Sequence, residues 1–153
     1  MSQPVRGRVA LVTGSGRRRV GNTIARMLAE RGYDVALHYN TSAAEARQSA
    51  ASLEEHGVRV RAFRADVASE AEVDRLFEEV LQAFRRLDVL VTAAAVWEPK
   101  PLEAVTAADV RRHFEINALG TFLCCRRAGL VMVGQPEGGA IVTIGDWAVA
   151  RPY

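Results

Sequence analysis

The chain has 153 residues, which is the size of one domain, and its 49% hydrophobic content is ample for a buried core. The formal net charge is only +2, so composition argues against a nucleic-acid-binding surface. We find neither an apolar signal segment at the N-terminus nor an apolar run of membrane-spanning length, and we expect a cytoplasmic protein without a membrane partner.

The cysteines and histidines predict neither a disulfide nor a metal site. Cys124 and Cys125 are adjacent within a helical pattern, so we interpret them as reduced, packed thiols. His38, His56 and His113 lie far apart, in different predicted elements, and lack the spacing of metal ligands.

Short apolar strands alternate with longer amphipathic helices along the chain. The predicted strands are 9–13, 35–38, 58–63, 89–92 and 140–144, and the predicted helices are 20–31, 43–56, 69–84 and 107–131. Gly32 and Gly57 follow the first two helices as stop signals, and Ser69 suits the N-cap of the third. The alternation predicts one α/β domain over residues 1–153, with a doubly wound parallel sheet in a three-layer αβα arrangement. Ligands of such sheets bind at the carboxyl ends of the strands, where the strand order reverses.

A glycine-rich turn joins the first strand to the first helix. Gly14 and Gly16 allow the backbone to approach a phosphate closely. The helix that begins near Gly21 directs free N–H groups and its positive dipole end to the same place. Three consecutive arginines at 17–19 suit a cofactor with an extra phosphate. The turn favours a dinucleotide, with NADPH preferred over NADH, although loop glycines also serve as ordinary turn residues.

The segment after the second strand carries no carboxylate before Glu45. NAD-specific sites usually place an acid here to bind the ribose 2′-hydroxyl, and that acid would repel a 2′-phosphate. The polar residues 40–42 offer donors instead, with Arg18 or Arg19 across the turn, which supports NADPH. A threonine or serine in this segment also suits the N-cap of the next helix, and the two roles are compatible.

Two further strand ends carry candidate ligand contacts. Asp66 follows the third strand, where its carboxylate suits either an adenine amino group or a turn before the next helix. Ala93, Ala94 and Ala95 follow the fourth strand and let a flat ligand lie against the backbone. Trp97 comes next, and it either stacks on a planar substrate or fills the loop.

The fifth strand and the long helix supply the catalytic candidates. Asp146 follows the fifth strand, as a proton donor or relay or as a turn aspartate. Asn117 is a polar amide among apolar neighbours on the long helix, and it needs hydrogen-bond partners if it is buried. Gly120 follows within one turn and permits close helix packing.

These segments resemble the short-chain dehydrogenase/reductase family along the whole chain, and within it they look most like the pteridine reductases. Residues 37–46, Leu-His-Tyr-Asn-Thr-Ser-Ala-Ala-Glu-Ala, are very similar to the pteridine reductase segment after the second strand. The Arg-Val-Gly of residues 19–21 resembles their Arg-x-Gly. Trp97 resembles the aromatic residue that sandwiches the pterin, and Asp146 stands where they have their catalytic aspartate.

The resemblance implies a Rossmann-type fold and hydride transfer from NADPH to a C=N bond of a pterin or dihydrofolate, or to a related carbonyl. A 3-oxoacyl-type carbonyl reductase is the alternative enzyme. The resemblance also implies a homo-oligomer, commonly a tetramer. It implies catalytic roles for Asp146 and Asn117, and substrate contacts from Arg19, Trp97 and Asp146. The implied cofactor contacts are Gly14, Ser15, Arg18, Arg19, Val20, Gly21, His38, Tyr39, Asn40, Thr41, Ser42, Asp66, Val67, Ala93, Ala94 and Ala95.

The chain also departs from the family pattern. The glycine turn is one residue longer, and residues 92–95 read Thr-Ala-Ala-Ala where the family has Asn-Asn-Ala-Gly. The family's Tyr-x-x-x-Lys pair is absent, because none of Tyr33, Tyr39 and Tyr153 precedes a lysine at that spacing and Lys100 is the single lysine. We therefore expect the first part of a longer reductase, with the last strands of the sheet outside this chain. The alternative is an NADPH-binding module without catalysis, and a sheet that ends at the fifth strand would have an open apolar edge there.

Overall fold

The computed structural model describes residues 7–146 and residue 151. Its strands are β1 (Val9–Val12), β2 (Asp34–Tyr39), β3 (Val60–Arg64), β4 (Val89–Thr92) and β5 (Ala140–Thr143). Its helices are α1 (Val20–Glu30), α2 (Ala43–Glu54), α3 (Glu70–Phe84), α4 (Ala107–His113) and α5 (Gly120–Val133). A 3₁₀ turn covers Leu102–Ala104, and a π-helical segment, Phe114–Leu119, joins α4 to α5.

The five strands form one parallel sheet in the order β3-β2-β1-β4-β5. The register places Leu11 of β1 between Ala36 of β2 and Leu90 of β4. The chain proceeds outwards from β1 to β3 and then returns to the other side of β1 with β4. This reversal between β1 and β4 is the position at which doubly wound sheets bind ligands. The predicted α/β, Rossmann-type doubly wound sheet is confirmed.

Both faces of the central strands are covered, which explains why their sequences read as continuous apolar runs. All four residues of β1 are fully buried. Alternate side chains of the strand enter two separate clusters, because successive strand residues point to opposite faces. Leu11 packs in the cluster that contains Phe77 of α3 and Cys124 of α5, and Val12 packs in the one that contains Ala25 of α1.

The predicted helix boundaries are close to the observed ones because their end signals are local. Ser69 caps α3 by accepting a hydrogen bond from the backbone N–H of Glu72 at 3.4 Å. Gly32, after α1, has a positive φ of 88°, as a C-terminal helix signal requires. The third helix ends differently from the first, since Arg85 adopts the left-handed conformation without being glycine.

The long helix predicted over 107–131 is a continuous stack of three parts that reaches Val133. Among the described residues, this stack is long and apolar enough to cross a membrane by length and composition alone. Our expectation that no apolar run reaches that length is therefore wrong. Its buried side chains, which include Leu123, Ala128 and Met132, face the core that the stack shares with α3 and β4. These contacts make it a layer of the α/β fold.

Gly120 begins α5 and brings the helix against the loop after β3. A Cβ placed there would lie 2.8 Å from Val67 Cγ2 and 3.0 Å from the Val67 carbonyl oxygen. The expected close helix packing is therefore confirmed. Cys124 is 1% exposed and burial raises the pKa of its thiol to about 12, as expected for a packed, unreactive cysteine.

The predicted open edge at the fifth strand is observed within the described residues. All four residues of β5 are exposed, and Ile141 and Val142 are 39% and 48% exposed. An unpaired parallel edge of this composition offers free backbone groups and apolar side chains to a further element.

Candidate cofactor and substrate site

A cleft of about 760 Å³ opens at the carboxyl ends of β1 and β4. It brings together nearly all of the site residues predicted from the sequence. Those lining it are Gly14, Arg19, Val20, Gly21, His38, Tyr39, Asn40, Thr41, Ser42, Asp66, Val67, Ala93, Ala94, Ala95 and Trp97. The cleft also contains Gly16, Arg17, Val96, Glu98, Arg112, Ile116 and Ile144. Its volume lies within the usual range of small-molecule and cofactor sites, roughly 300–1,000 Å³.

The glycine turn lies directly against the segment after β4. Gly14 has φ of +66°, and a Cβ there would approach Ala94 Cα to 2.7 Å and the Ala93 carbonyl oxygen to 2.8 Å. Thr13 connects the glycine turn to the segment after β4, because its hydroxyl accepts the backbone N–H groups of Ala93 and Ala94 at 3.0 and 3.1 Å. Thr13 was not among the residues predicted for the site, and only its position directly before Gly14 indicates that its side chain connects the turn to the β4 loop.

The N-terminus of α1 lies at the cleft and has no side-chain cap. Arg19 occupies its N-cap position without a side-chain capping bond, and its first turn contains no acidic residue. The first N–H groups of a helix have no partner within it, and together with the helix dipole they form an anion site. By contrast, Ser69 caps α3 and Thr106 caps α4 through their side chains. The turn and α1 thus fit the pyrophosphate of a dinucleotide.

His38 and Ser15 have structural contacts that the sequence did not indicate. The Gly14 N–H donates to His38 Nδ1 at 3.0 Å, and His38 Nε2 lies 3.0 Å from the Ala65 carbonyl oxygen. The Ser15 and Gly16 N–H groups both donate to the His38 carbonyl oxygen. Ser15 is fully buried, and its hydroxyl donates to Val12 at 2.7 Å. The turn amides from 14 to 16 are therefore occupied within the protein.

The three consecutive arginines differ in whether they reach the cleft. All three line a separate depression between α1 and α2, and Arg17 and Arg19 also line the cleft, whereas Arg18 does not. Arg17 Nε lies 3.5 Å from Glu45 Oε1, an exposed pair. The sequence predicted cofactor contacts from Arg18 and Arg19 but did not determine which arginine of the turn faces the phosphates. The path of the longer turn decides which side chains reach the cleft, and sequence spacing alone does not reveal it.

The end of β2 and the polar segment after it line the cleft. The lining residues are Tyr39, Asn40, Thr41 and Ser42, of which Ser42 is buried. Ser42 stands at the N-cap position of α2 but makes no side-chain capping bond. Ser42 therefore does not cap α2 through its side chain, and we expect the polar side chains of Asn40, Thr41 and Ser42 to face a ligand in the cleft.

Asp66 takes part in a turn and also faces the cleft. Its Oδ1 accepts the Ala68 N–H at 3.0 Å, and its own N–H donates to Glu72 Oε2 at 2.8 Å. This backbone hydrogen bond is the main reason that the pKa of Glu72 is lowered. Asp66 therefore stabilises the turn before α3. It also lines the cleft, so its predicted contact with an adenine remains a prediction.

The substrate end of the cleft is formed by the loop after β4 and by the π-helical segment. Asn117 binds the backbone of Val96 twice, since its Oδ1 accepts the N–H and its Nδ2 donates to the carbonyl, both at 2.9 Å. Trp97 follows and is 73% exposed at the cleft rim, so its ring does not fill the loop. Asp146 is exposed two residues beyond Ile144, which lines the cleft.

The Thr92 hydroxyl is buried at the end of β4 with no hydrogen-bond partner among the described residues. A buried polar atom without a partner costs roughly 1–3 kcal/mol. We expect Thr92→Val to raise the free energy of unfolding by about 1 kcal/mol, because it replaces the hydroxyl with a methyl group. The measurement is urea-induced unfolding monitored by tryptophan fluorescence or circular dichroism.

The matched control is Thr13→Val, which removes a hydroxyl that accepts two backbone N–H groups. It leaves those donors unpaired and is expected to lower the free energy of unfolding by about 1–3 kcal/mol. A loss of stability in Thr92→Val comparable to that in Thr13→Val would contradict our interpretation of Thr92.

No group of three or more potential metal-binding histidine, cysteine or acidic side chains occurs in the described parts of the chain.

Comparison with known proteins identifies the family. The short chain dehydrogenase family profile matches residues 8–152. A hydroxynaphthalene reductase-like protein of Metarhizium majus is 38% identical over 142 residues, which cover 93% of this chain and 52% of that protein. A short-chain dehydrogenase/reductase of Armillaria gallica is 39% identical over 137 residues, covering 89% and 52%. The chain thus spans about half the length of these curated relatives.

The fold agrees with that of a solved relative. The crystal structure of a short chain dehydrogenase from Burkholderia cenocepacia J2315, in complex with NADP, aligns with a TM-score of 0.90 and 32% identity. The alignment covers 99% of this chain and 60% of that one. With the family profile over almost the whole sequence, and a parallel sheet whose cleft lies at the strand reversal, the chain belongs to the short-chain dehydrogenase/reductase family.

Proposed function

We propose that the protein is an NADPH-dependent reductase of planar, fused bicyclic substrates, reducing a C=N or C=O bond. The observation that carries the proposal is the composition of the cleft at the β1–β4 reversal. It combines an uncapped helix N-terminus, two arginines of the glycine turn, three consecutive alanines and an exposed indole at the rim.

The arginines and the segment after β2 support the phosphorylated cofactor. Arg17 and Arg19 line the cleft with Asn40 and Thr41, and the first carboxylate of α2, Glu45, is paired with Arg17. An arginine guanidinium suits a phosphate monoester because its planar donors match the phosphate oxygens. NADP in the Burkholderia cenocepacia relative is consistent with this choice.

Two lines of support point to a planar bicyclic substrate. The resemblance to pteridine reductases includes Trp97 and Asp146 besides residues 19–21 and 37–46, and one relative is named hydroxynaphthalene reductase-like. A pterin and a hydroxynaphthalene are both flat, fused two-ring molecules. Trp97 is exposed and lines the same cleft as the three alanines, so it offers a surface on which such a ring system stacks.

The chain's own residues would position the reactants and handle a proton. Bound NADPH supplies the hydride. Ala93–Ala95 let the nicotinamide end lie against the backbone, and Asn117 fixes the loop that carries Trp97 by its two bonds to Val96. Asp146 would hold the proton that goes to the nitrogen or oxygen of the reduced bond. We further propose a cytoplasmic protein that forms a homo-oligomer. The exposed apolar side chains Phe114, Phe122 and Leu130, along the π-helical segment and α5, support the association.

The test is NADPH oxidation by the full-length protein with a dihydropterin, with a bicyclic aromatic ketone such as a tetralone, and with a 3-oxoacyl thioester. We expect turnover with at least one of the two bicyclic substrates. Asp146→Ala is expected to lower turnover by roughly 100-fold or more, a typical loss for a general acid, with the cofactor Kd unchanged. Glu30→Gln, an exposed change at the far end of α1, is the matched control.

The outcomes separate the candidates. Turnover only with the thioester would identify the 3-oxoacyl-type reductase and overturn the bicyclic substrate. Cofactor binding without turnover on any substrate would favour the non-catalytic binding module. Unchanged turnover in Asp146→Ala would remove Asp146 from the catalytic residues.

A further inference from the structure

His38 is the centre of the hydrogen bonds that hold the glycine turn. Its ring contacts the Gly14 N–H through Nδ1 and the Ala65 carbonyl through Nε2, each at 3.0 Å. Its backbone carbonyl accepts the N–H groups of Ser15 and Gly16 at 3.0 and 3.2 Å, and its own N–H donates to Ser15 Oγ at 3.2 Å. One residue of β2 thus binds three consecutive residues of the turn.

These contacts determine the protonation state of the ring. A backbone N–H only donates, so Nδ1 must accept from Gly14 and carry no proton. A carbonyl oxygen only accepts, so Nε2 must carry the proton and donate to Ala65. The ring is therefore neutral, with its proton on Nε2, and protonation of Nδ1 would break the bond to Gly14.

We propose that His38 is a positioning residue for the cofactor, holding the Gly14 backbone in the conformation that aligns the turn and α1 with the phosphates. The proposal rests on the dinucleotide function proposed above and assigns His38 a role different from direct cofactor contact. Gly14 needs such restraint because glycine at φ of +66° has many alternative conformations in the absence of a fixed partner.

The surroundings of the ring favour the neutral form. His38 is 2% exposed, and desolvation lowers its pKa to about 4. The Ala65 carbonyl and the carboxylate of Asp66, both in the segment after β3, act in the opposite direction. From the glycine turn, the groups bonded to His38 are the Gly14, Ser15 and Gly16 N–H groups and the Ser15 hydroxyl.

The first experiment separates the two ring contacts. His38→Asn places an amide oxygen near the position of Nδ1 and keeps an acceptor for Gly14. His38→Gln reaches the position of Nε2 and keeps a donor for Ala65 but loses the Gly14 acceptor. We expect the Kd for NADP⁺ at pH 7 to stay within about threefold of wild type in the asparagine variant. In the glutamine variant, it should rise at least tenfold, or about 1.4 kcal/mol.

The pH dependence of binding distinguishes positioning from general support of the fold. Between pH 7 and pH 4, the Kd of the wild type for NADP⁺ should rise more steeply than that of His38→Asn, because asparagine does not titrate. Titration of the cofactor phosphate affects both proteins equally and cancels in their ratio. His56→Asn, an exposed histidine change outside the cleft, should follow the wild-type curve.

Each failure has a distinct meaning. A wild-type protein that does not bind NADP⁺ would overturn the proposed function. Wild-type binding with equal Kd values in the asparagine and glutamine variants would overturn the positioning role alone. Should either variant fail to fold, ¹⁵N NMR of the wild-type histidine ring decides, because a proton on Nδ1 at pH 6 contradicts the proposal and an Nε2-only proton supports it.

Discussion

Replacing Gly14 with alanine is expected to remove about 2–5 kcal/mol from the free energy of unfolding and to abolish measurable NADP⁺ binding. A non-glycine residue in the left-handed region costs about 1–2 kcal/mol, and overpacking costs about 1–3 kcal/mol more. The new Cβ would meet Ala94 Cα at 2.7 Å and the Ala93 carbonyl oxygen at 2.8 Å. Both atoms are backbone, so no side chain rotation relieves the contact. Denaturant unfolding and a fluorescence titration with NADP⁺ measure the two effects.

Gly129→Ala is the matched control for this prediction. Gly129 lies inside α5, and nothing lies within 4 Å of a Cβ placed there. The same substitution is expected to stabilise the protein by roughly 0.5–1 kcal/mol, because alanine has the higher helix propensity. Unchanged stability and NADP⁺ affinity in Gly14→Ala would contradict the close approach between the turn and the β4 loop.

The arrangement of the sheet was predictable because its signals are local and repeated. Continuous apolar runs predict strands buried on both faces, and Ser69 and Gly32 mark helix ends at single positions. In a parallel sheet the carboxyl ends of the strands meet at one edge, so residues that follow different strands, such as Asp66 and Trp97, line the same cleft. This inference needed no knowledge of any side-chain contact.

The contacts inside the cleft were not predictable in the same way. Thr13 and His38 bond to backbone groups that are distant in sequence, and neither residue type signals such a partner. The inward direction of Arg17 depends on the path of the longer glycine turn. The π-helical segment around Asn117 requires a shifted backbone bonding pattern that apolar periodicity does not encode.

The hydrogen bonds of the glycine turn indicate which backbone donors are available to a phosphate. His38 accepts the N–H groups of Gly14, Ser15 and Gly16, so we expect the donors to come from the first turn of α1, which has no side-chain cap. The guanidinium groups that line the cleft flank this helix end. On the proposed function, the end of α1 would bind the pyrophosphate, and the turn arginines with the segment after β2 would bind the 2′-phosphate. Cofactor choice could then change without loss of dinucleotide binding.

Asn40→Asp tests that separation. Asn40 follows β2, is exposed and lines the cleft, at the position where an acid would bind a ribose 2′-hydroxyl. Like charges 4 Å apart repel by about 4 kcal/mol at an effective dielectric constant of 20. Arg64, whose Nε donates to the Asn40 carbonyl at 3.2 Å, would offset part of this repulsion. We therefore expect the Kd for NADP⁺ to rise at least tenfold, about 1.4 kcal/mol, while that for NAD⁺ stays equal or falls.

The comparison of the two cofactors is the deciding measurement, because a general loss of structure would weaken both equally. Gln82→Glu adds the same charge on the exposed face of α3, away from the cleft, and should leave both Kd values unchanged. Added salt should narrow the difference between Asn40→Asp and wild type, since an exposed carboxylate is screened over about 10 Å at 0.1 M ionic strength. An equal loss of NADP⁺ and NAD⁺ binding would mean that the segment after β2 does not read the 2′-phosphate. The proposed preference for NADPH would then rest on the arginines of the glycine turn alone.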